Sequence, residues 1–417
     1  MKIFMLGIKG SGMAALATLL SSLGLDVSGC DREEYIFTQD LLDEKGIRYY
    51  SDIVDGDYDF IIKGNSYECD YKFSCPVYKY IDVLRYLSCR YNSIAVCGSH
   101  GKTTTTGMLS TILKDKCIYL IGDGSGGGIK DDYFVFEACE YKRNFLSYNP
   151  SYILITNIEL DHIDYYKDIE DYVSAFLSFK ERARSKVIVN GDDEYLSTFK
   201  GCLKYGFNEC NDLVIKDYVQ TSEGASFSLC YKGKMYDDIH LNLYAKHQIY
   251  NAVGSIFIAM LLGENIDVII NNLSLYKVNK RRFNIEEIGS NIIVDDYGHQ
   301  PSQIKATLES LKIKYKDKKM VCIFKPDRYS RLFYFKENFI DVLSLFDESY
   351  ICNFPSCSSN DLSFPFSPFC LVGDGIKFFD EKDFSIFRQR ENTVFLVTSS
   401  KYVNNIKEGI KEMLNDD

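Results

Sequence analysis

Tryptophan is absent from this chain, no C-x-x-C pair occurs, and no apolar run reaches the length of a membrane span. A surplus of positive charge is missing too. The formal net charge of −11 argues against nonspecific binding to nucleic acid or acidic membranes, although cations local to a cleft can still hold a small anion. The 14 cysteines are scattered, so neither a zinc cluster nor a disulfide framework is expected. Reduced thiols in a cytoplasm fit best. The opening Met1-Lys-Ile-Phe-Met-Leu-Gly7 is a strand entering a glycine turn, not a secretion signal. Lack of tryptophan beside abundant Tyr, Phe, Ile and Lys points to nucleotide-composition bias and carries no functional meaning. What remains is a globular chain, 46% hydrophobic and 26% charged, long enough at 417 residues for two to three domains.

The most informative stretch is Gly98-Ser-His-Gly-Lys-Thr-Thr-Thr-Thr106. A strand-type run, Ser93 to Cys97, precedes it, and a helical pattern with Met108, Leu109 and Ile112 on one face follows. A glycine-rich turn between strand and helix gathers backbone N–H groups at the positive end of the helix dipole, which makes a phosphate cradle. Lys102 would meet the terminal phosphates and Thr103 the Mg²⁺ they carry. The general P-loop pattern asks for a further glycine where Val96 stands, so this is a compact variant. A merely Thr-rich helix start explains the context less well.

Strands alternate with helices along the chain, predicting an α/β fold of mostly parallel sheets. Residues 1–92 read as a Rossmann-like domain. The turn Gly7-Ile-Lys-Gly-Ser-Gly-Met13 follows the first strand, and Asp31 ends the second at dinucleotide-fold spacing. Lys9 stands at the middle glycine of that pattern and would either crowd a pyrophosphate or bind one. Residues 93–283 read as the P-loop domain, where strand ends carry Lys102 and Thr103, then Glu137, then Asp161 and His162. Hydroxyl, carboxylate and imidazole suit Mg²⁺ with phosphate completing its shell. The loop Ile121 to Gly128 reads as a connector. Residues 284–417 read as a third, Rossmann-like domain, with Asp296, Tyr297, His299, Arg328 and Arg331 at strand ends.

These motifs, with Lys246 to Asn251 and Lys280-Arg-Arg-Phe283, resemble the Mur ligase family, ATP-dependent enzymes that add amino acids to the peptidoglycan precursor. The resemblance covers nearly the whole chain. It implies an acid–amino-acid ligase that joins a small amino acid, L-alanine being expected, to the lactyl carboxylate of UDP-N-acetylmuramate through an acyl phosphate. It implies ATP bound by Gly98, Ser99, His100, Gly101, Lys102, Thr103 and Thr104, with Asn251, Arg282 and Asp296 at the nucleotide. Thr103, Glu137 and His162 would surround Mg²⁺. Gly7, Gly10, Gly12, Met13 and Asp31 would hold the UDP sugar, and Tyr297, His299, Arg328 and Arg331 the space between amino acid and phosphate. Catalysis would then rest on Lys102, Glu137, His162, Arg282, His299, Arg328 and Arg331. No nucleic acid or membrane insertion is implied, and the protein would be a monomer or homodimer.

The departures from the family pattern cluster toward the C-terminus. Gln248 replaces an asparagine, Gln300 a second histidine, and Asp327 a histidine near the amino-acid pocket. They leave open a relative that attaches another amino acid or a recycled peptide, or a catalytically silent binder of UDP sugar or nucleotide. A nicotinamide dehydrogenase would leave the P-loop unexplained. Lys180 stands where some relatives carry a carbamylated lysine, although a solvated helix lysine is the simpler reading.

Overall fold

The computed structural model describes residues 1–68, 70–129, 132–277, 283–353, 368–373, 375–401 and 403–415. Among them the strands form three sheets. The first takes β1 (Lys2–Leu6), β2 (Asp26–Cys30), β3 (Arg48–Tyr50), β4 (Phe60–Lys63) and β5 (Val77–Lys79), in the order β3-β2-β1-β4-β5. Helices α1 (Ser11–Ser22), α2 (Gln39–Glu44) and α3 (Tyr80–Arg90) belong to the same segment. β1 pairs in parallel with β2 on one side and β4 on the other, with Leu6 level with Cys30 and Lys63. The order of strands therefore reverses at β1, and the crevice outside its carboxyl end is where such sheets take ligands. Gly7 occupies that point and turns the chain with a φ of 79°, where a side chain would be strained.

The second sheet holds β6 (Asn92–Cys97), β7 (Cys117–Leu120), β8 (Gly126–Gly127), β9 (Tyr133–Glu137), β10 (Tyr152–Ile155), β11 (Lys186–Asn190), β12 (Leu203–Gly206), β13 (Leu213–Thr221), β14 (Gly224–Tyr231) and β15 (Lys234–Leu241). Its helices are α4 (Lys102–Ile112), α5 (Ile169–Lys180), α6 (Lys246–Leu261) and α7 (Ile266–Leu273). β6 lies between β10 and β9, parallel to both, so Cys97, Ile155 and Glu137 end at one level. The apolar strands Ser93–Cys97 and Phe134–Phe136 are buried on both faces, as a parallel sheet covered by helices requires.

The third sheet combines β16 (Asn284–Ile288), β17 (Asn291–Asp296), β18 (Lys319–Phe324), β19 (Glu348–Cys352), β20 (Ile376–Phe379) and β21 (Thr393–Thr398). Its order is β16-β17-β21-β18-β19-β20, and α8 (Pro301–Lys314), α9 (Tyr329–Tyr334), α10 (Lys336–Leu343) and α11 (Asn404–Asn415) accompany it. Asp296, Thr398 and Phe324 stand in register at the carboxyl ends of β17, β21 and β18.

The chain divides into two compact units. One is Met1–Asp217 with Phe227–Ile239 and Tyr250–Lys277; the other is Tyr218–Ser226, His240–Ile249 and Val278–Asp417. In the first unit a single core runs from Ile3 and Leu16 to Phe134, Phe145 and Phe176, so the first two sheets share their apolar interior. The 121–128 connector enables this. A Cβ placed on Gly126 would lie 2.0 Å from the Ala15 carbonyl oxygen, so only glycine lets β8 meet α1. Replacing Gly126 with alanine should therefore cost about 1–3 kcal/mol by overpacking. Urea unfolding of Gly126→Ala checks this, and an unchanged midpoint would contradict it. Among the described residues no helix is long and apolar enough to cross a membrane.

Candidate active site

The loop between β6 and α4 is fixed by two glycines and by the strand end beside it. Gly98 adopts a φ of 133°, and a Cβ there would lie 2.1 Å from the Thr156 hydroxyl. That hydroxyl donates to the His100 carbonyl at 2.6 Å. The Asn157 side chain accepts from the His100 N–H and donates to its carbonyl, at 3.0 and 2.9 Å. Ser99 is tied to Glu159 through its hydroxyl, which donates to the Glu159 carbonyl and accepts the Glu159 N–H. The stretch after β10 thus holds the loop's shape before any ligand arrives. Gly101, at a φ of 81°, opens α4, and its missing Cβ would touch the Asn251 carboxamide at 2.6 Å. Thr104 follows Thr103 in the first turn of α4. Val96 lies inside β6, so the loop is as short as its sequence implies.

Lys102 bends back over this loop. Its Nζ donates to the Gly98 carbonyl at 2.6 Å and reaches the fully buried Glu140 carboxylate at 3.0 Å. Burial alone would lower the lysine pKa, but Glu140 outweighs it and raises it above the ordinary lysine range. Burial would likewise raise the Glu140 pKa; Lys102 and His162 together bring it below the usual carboxylate value. His162 Nε2 lies 3.3 Å from the same carboxylate. Its Nδ1 is buried with no hydrogen-bond partner among the described residues. Its backbone φ is 53°, a left-handed strain held in place by the Asp161 carboxylate, which accepts the His162 N–H at 2.7 Å. Glu137, which also acts on the Lys102 charge, accepts from the Thr103 hydroxyl at 3.0 Å and the Gly122 N–H at 2.9 Å.

Sequence reasoning grouped Thr103, Glu137 and His162 around one metal and overlooked Glu140. The observed pairs are Thr103 with Glu137 and His162 with Glu140. The signal was present in Glu137-Ala-Cys-Glu140, where one carboxylate ends a strand and a second follows three residues on. Among the described residues no three His, Cys, Asp or Glu side chains form a ready metal cage. The Thr103 and Glu137 oxygens nevertheless fit Mg²⁺, which takes few protein ligands and arrives with phosphate.

At the other switch point, Gly10 caps α1, and the first-turn N–H groups at Ser11, Gly12 and Met13 receive no side-chain cap. Asp31 accepts from the Lys9 N–H at 2.8 Å and from the Arg32 N–H at 2.9 Å, bracing the turn. The Lys9 ammonium does not crowd the turn. It is buried and donates to the Arg32 and Glu34 carbonyls.

In the second unit Asp296 accepts from the Phe283 and Gly298 N–H groups and from the Thr307 hydroxyl. His299 Nδ1 lies 3.0 Å from the Tyr297 carbonyl oxygen. Arg328 caps α9, while the buried Arg331 is bound to Asp327, whose other oxygen accepts the Ser400 hydroxyl at 2.6 Å. Arg282 and most of the 354–370 loop lie outside the described residues. Gln248 accepts the Tyr244 N–H, a helix-entry role. Lys180 pairs with Glu181 at 2.8 Å, which raises its pKa and favours the charged amine over the neutral one that carbamylation needs.

A compact phosphate loop at one switch point and a bare glycine turn at another define a P-loop α/β protein built to handle nucleotides. The chain belongs to the Mur ligase family. Residues 2–70 match the model of the Mur ligase family catalytic domain, and 128–259 that of the Mur ligase middle domain. A UDP-N-acetylmuramate–L-alanine ligase of Lactobacillus delbrueckii subsp. bulgaricus is 38% identical over 368 residues, 84% of each chain. The crystal structure of a UDP-N-acetylmuramate-alanine ligase from Thermotoga maritima superposes with a TM-score of 0.81 at 24% identity, covering 100% of both chains. That of a MurF ligase from Thermotoga maritima in complex with ADP gives 0.66 at 19% identity, covering 93% of this chain and 95% of that one.

Two outcomes follow from the ion pairs. Glu140→Ala strands a buried ammonium and should cost about 3–5 kcal/mol in denaturant unfolding, against little change if the pair were idle. Asp327 has a folded pKa below the ordinary 3.8, because Arg331 and His299 outweigh its burial. Its contribution is complete above that value and is lost as pH falls below it. The stability gap between wild type and Asp327→Asn should therefore narrow in acid; a constant gap would contradict the pairing.

Proposed function

We propose that this chain joins L-alanine to the lactyl carboxylate of UDP-N-acetylmuramate, cleaving ATP to ADP and phosphate, in the synthesis of the peptidoglycan precursor. The observation that carries this is the Lys102 loop braced against Glu140 and Glu137, in the same compact unit as the glycine turn. A carboxylate and an amine do not condense in water, since the leaving group would be oxide or hydroxide. Transfer of the γ-phosphoryl group to the carboxylate makes phosphate the leaving group. The amine of the amino acid then attacks the acyl carbon, and phosphate departs from the tetrahedral intermediate.

Such chemistry needs positioning and charge neutralisation more than a nucleophile. Lys102 supplies a fixed positive charge, and the uncapped N–H groups opening α4 supply oriented donors for phosphate oxygens. Asn251 is buried against Gly101 and would line the nucleotide side. Thr103 and Glu137 would hold Mg²⁺, whose charge would offset that of the triphosphate. The uncapped start of α1 suits the pyrophosphate of the UDP sugar.

The nature of the C-terminal departures favours L-alanine over an amine with a second charge. Asp327 is buried and already neutralised by Arg331, so it presents no unbalanced carboxylate to select a cationic group. Purified protein should release phosphate only when ATP, UDP-N-acetylmuramate and an amino acid are all present, fastest with L-alanine among L-alanine, L-serine and glycine. Lys102→Ala should lower that rate by about 10²–10³-fold. Phosphate release that ignores the UDP sugar, or none with any amino acid, would sink the reading.

A further inference from the structure

Tyr80 is the first residue of α3, and its ring is half-buried in the core shared by the first two sheets. Its hydroxyl lies against the glycine turn, 2.7 Å from where a Cβ on Gly12 would stand. Gly12 is in the first turn of α1, where the backbone donors carry no side-chain cap. The phenol therefore fills the place of the side chain that Gly12 lacks. Tyr148, from the second sheet's part of the same apolar core, is near enough to act on the phenol electrostatically, as is Glu137. Glu137 is the carboxylate that accepts from Thr103 at the phosphate loop. Tyr80 thus lies against the glycine turn, packed on the core that the first two sheets share.

Among the described residues the Tyr80 hydroxyl makes no hydrogen bond, and the side chain is only partly buried. A phenol at the rim of a core ordinarily gives its hydroxyl to a polar partner, water or ligand. Burial, then the neighbouring Tyr148 and Glu137, hold its pKa well above 10, so it stays protonated and can donate. The cation within the turn is committed elsewhere, since the Lys9 ammonium donates to the Arg32 and Glu34 carbonyls.

We propose that Tyr80 contacts the substrate: its hydroxyl donates a hydrogen bond to an anionic oxygen of the sugar-linked acid held between the glycine turn and the phosphate loop. This rests on the ligase reading. Two oxygens of that substrate have the right chemistry, one on the pyrophosphate and one on the lactyl carboxylate. A plain packing role for the ring is the alternative, and Tyr80→Phe keeps that packing.

The test is calorimetric titration of full-length wild type and Tyr80→Phe with UDP-N-acetylmuramate, UDP-N-acetylglucosamine and ATP, alongside thermal melts. Affinity for UDP-N-acetylmuramate should fall roughly tenfold, the weight of a hydrogen bond to a charged group, with ATP binding and Tm unchanged. An equal loss for UDP-N-acetylglucosamine, which lacks the lactyl group, assigns the contact to the pyrophosphate. A loss confined to UDP-N-acetylmuramate assigns it to the carboxylate. Unchanged affinity for both sugars, or a parallel fall in Tm and ATP binding, would overturn the proposal and leave the ligase reading standing. Wild type that binds neither sugar would instead overturn the ligase reading, and this proposal with it.

Discussion

The buried pair of Lys102 and Glu140 is the constraint on which the site depends. A lone ammonium or carboxylate at that depth would cost several kcal/mol in lost hydration, and each ion is tolerable only because the other is 3.0 Å away. The Gly98 carbonyl shares the lysine's charge, and His162 shares the carboxylate's. The result is a positive charge stored at the phosphate loop in a defined place, with little rotamer freedom left to lose when a nucleotide binds. Its worth lies in preorganisation more than in stability.

Close backbone approach is the second device, and it recurs wherever the site is assembled. Gly98 lets the loop meet Thr156, Gly101 lets it meet Asn251, and Gly126 lets β8 meet α1. In each case the first atom of a side chain would fall within 2.6 Å of its neighbour. The first two contacts set the shape of the cradle. The third joins α1 to the second sheet, within the one compact unit that holds both the glycine turn and the phosphate loop. Tyr80 crosses the same boundary from α3.

Much of this was legible in the residues, because glycine turns and strand ends leave strong local patterns. The strand–loop–helix around Lys102, the turn at Gly7 and the carboxylates at strand ends all follow from spacing. Glu140 was not legible, since it lies three residues past the strand, where no pattern says that this glutamate, and not the one ending the strand, is fully buried. Lys9 was ambiguous for a related reason: a lysine stem can reach either way, and only the backbone carbonyls of Arg32 and Glu34 decide it. Asp327, standing for a histidine near the amino-acid pocket, left the identity of the incoming amine open. Its partners Arg331 and Ser400 lie four and seventy-three residues away, and the second could not be found from sequence. Tyr80 carried no motif at all; its interest comes from the atom that Gly12 does without.

The central chemical claim is that a carboxylate oxygen of the sugar-linked acid leaves with the phosphate. The most direct measurement uses UDP-N-acetylmuramate labelled with ¹⁸O in its lactyl carboxylate, incubated with the protein, ATP, Mg²⁺ and L-alanine, followed by mass spectrometry of the released phosphate. The acyl-phosphate route predicts that each phosphate carries one labelled oxygen. Phosphate released without label would mean that water, not the carboxylate, attacks the nucleotide, and would contradict it.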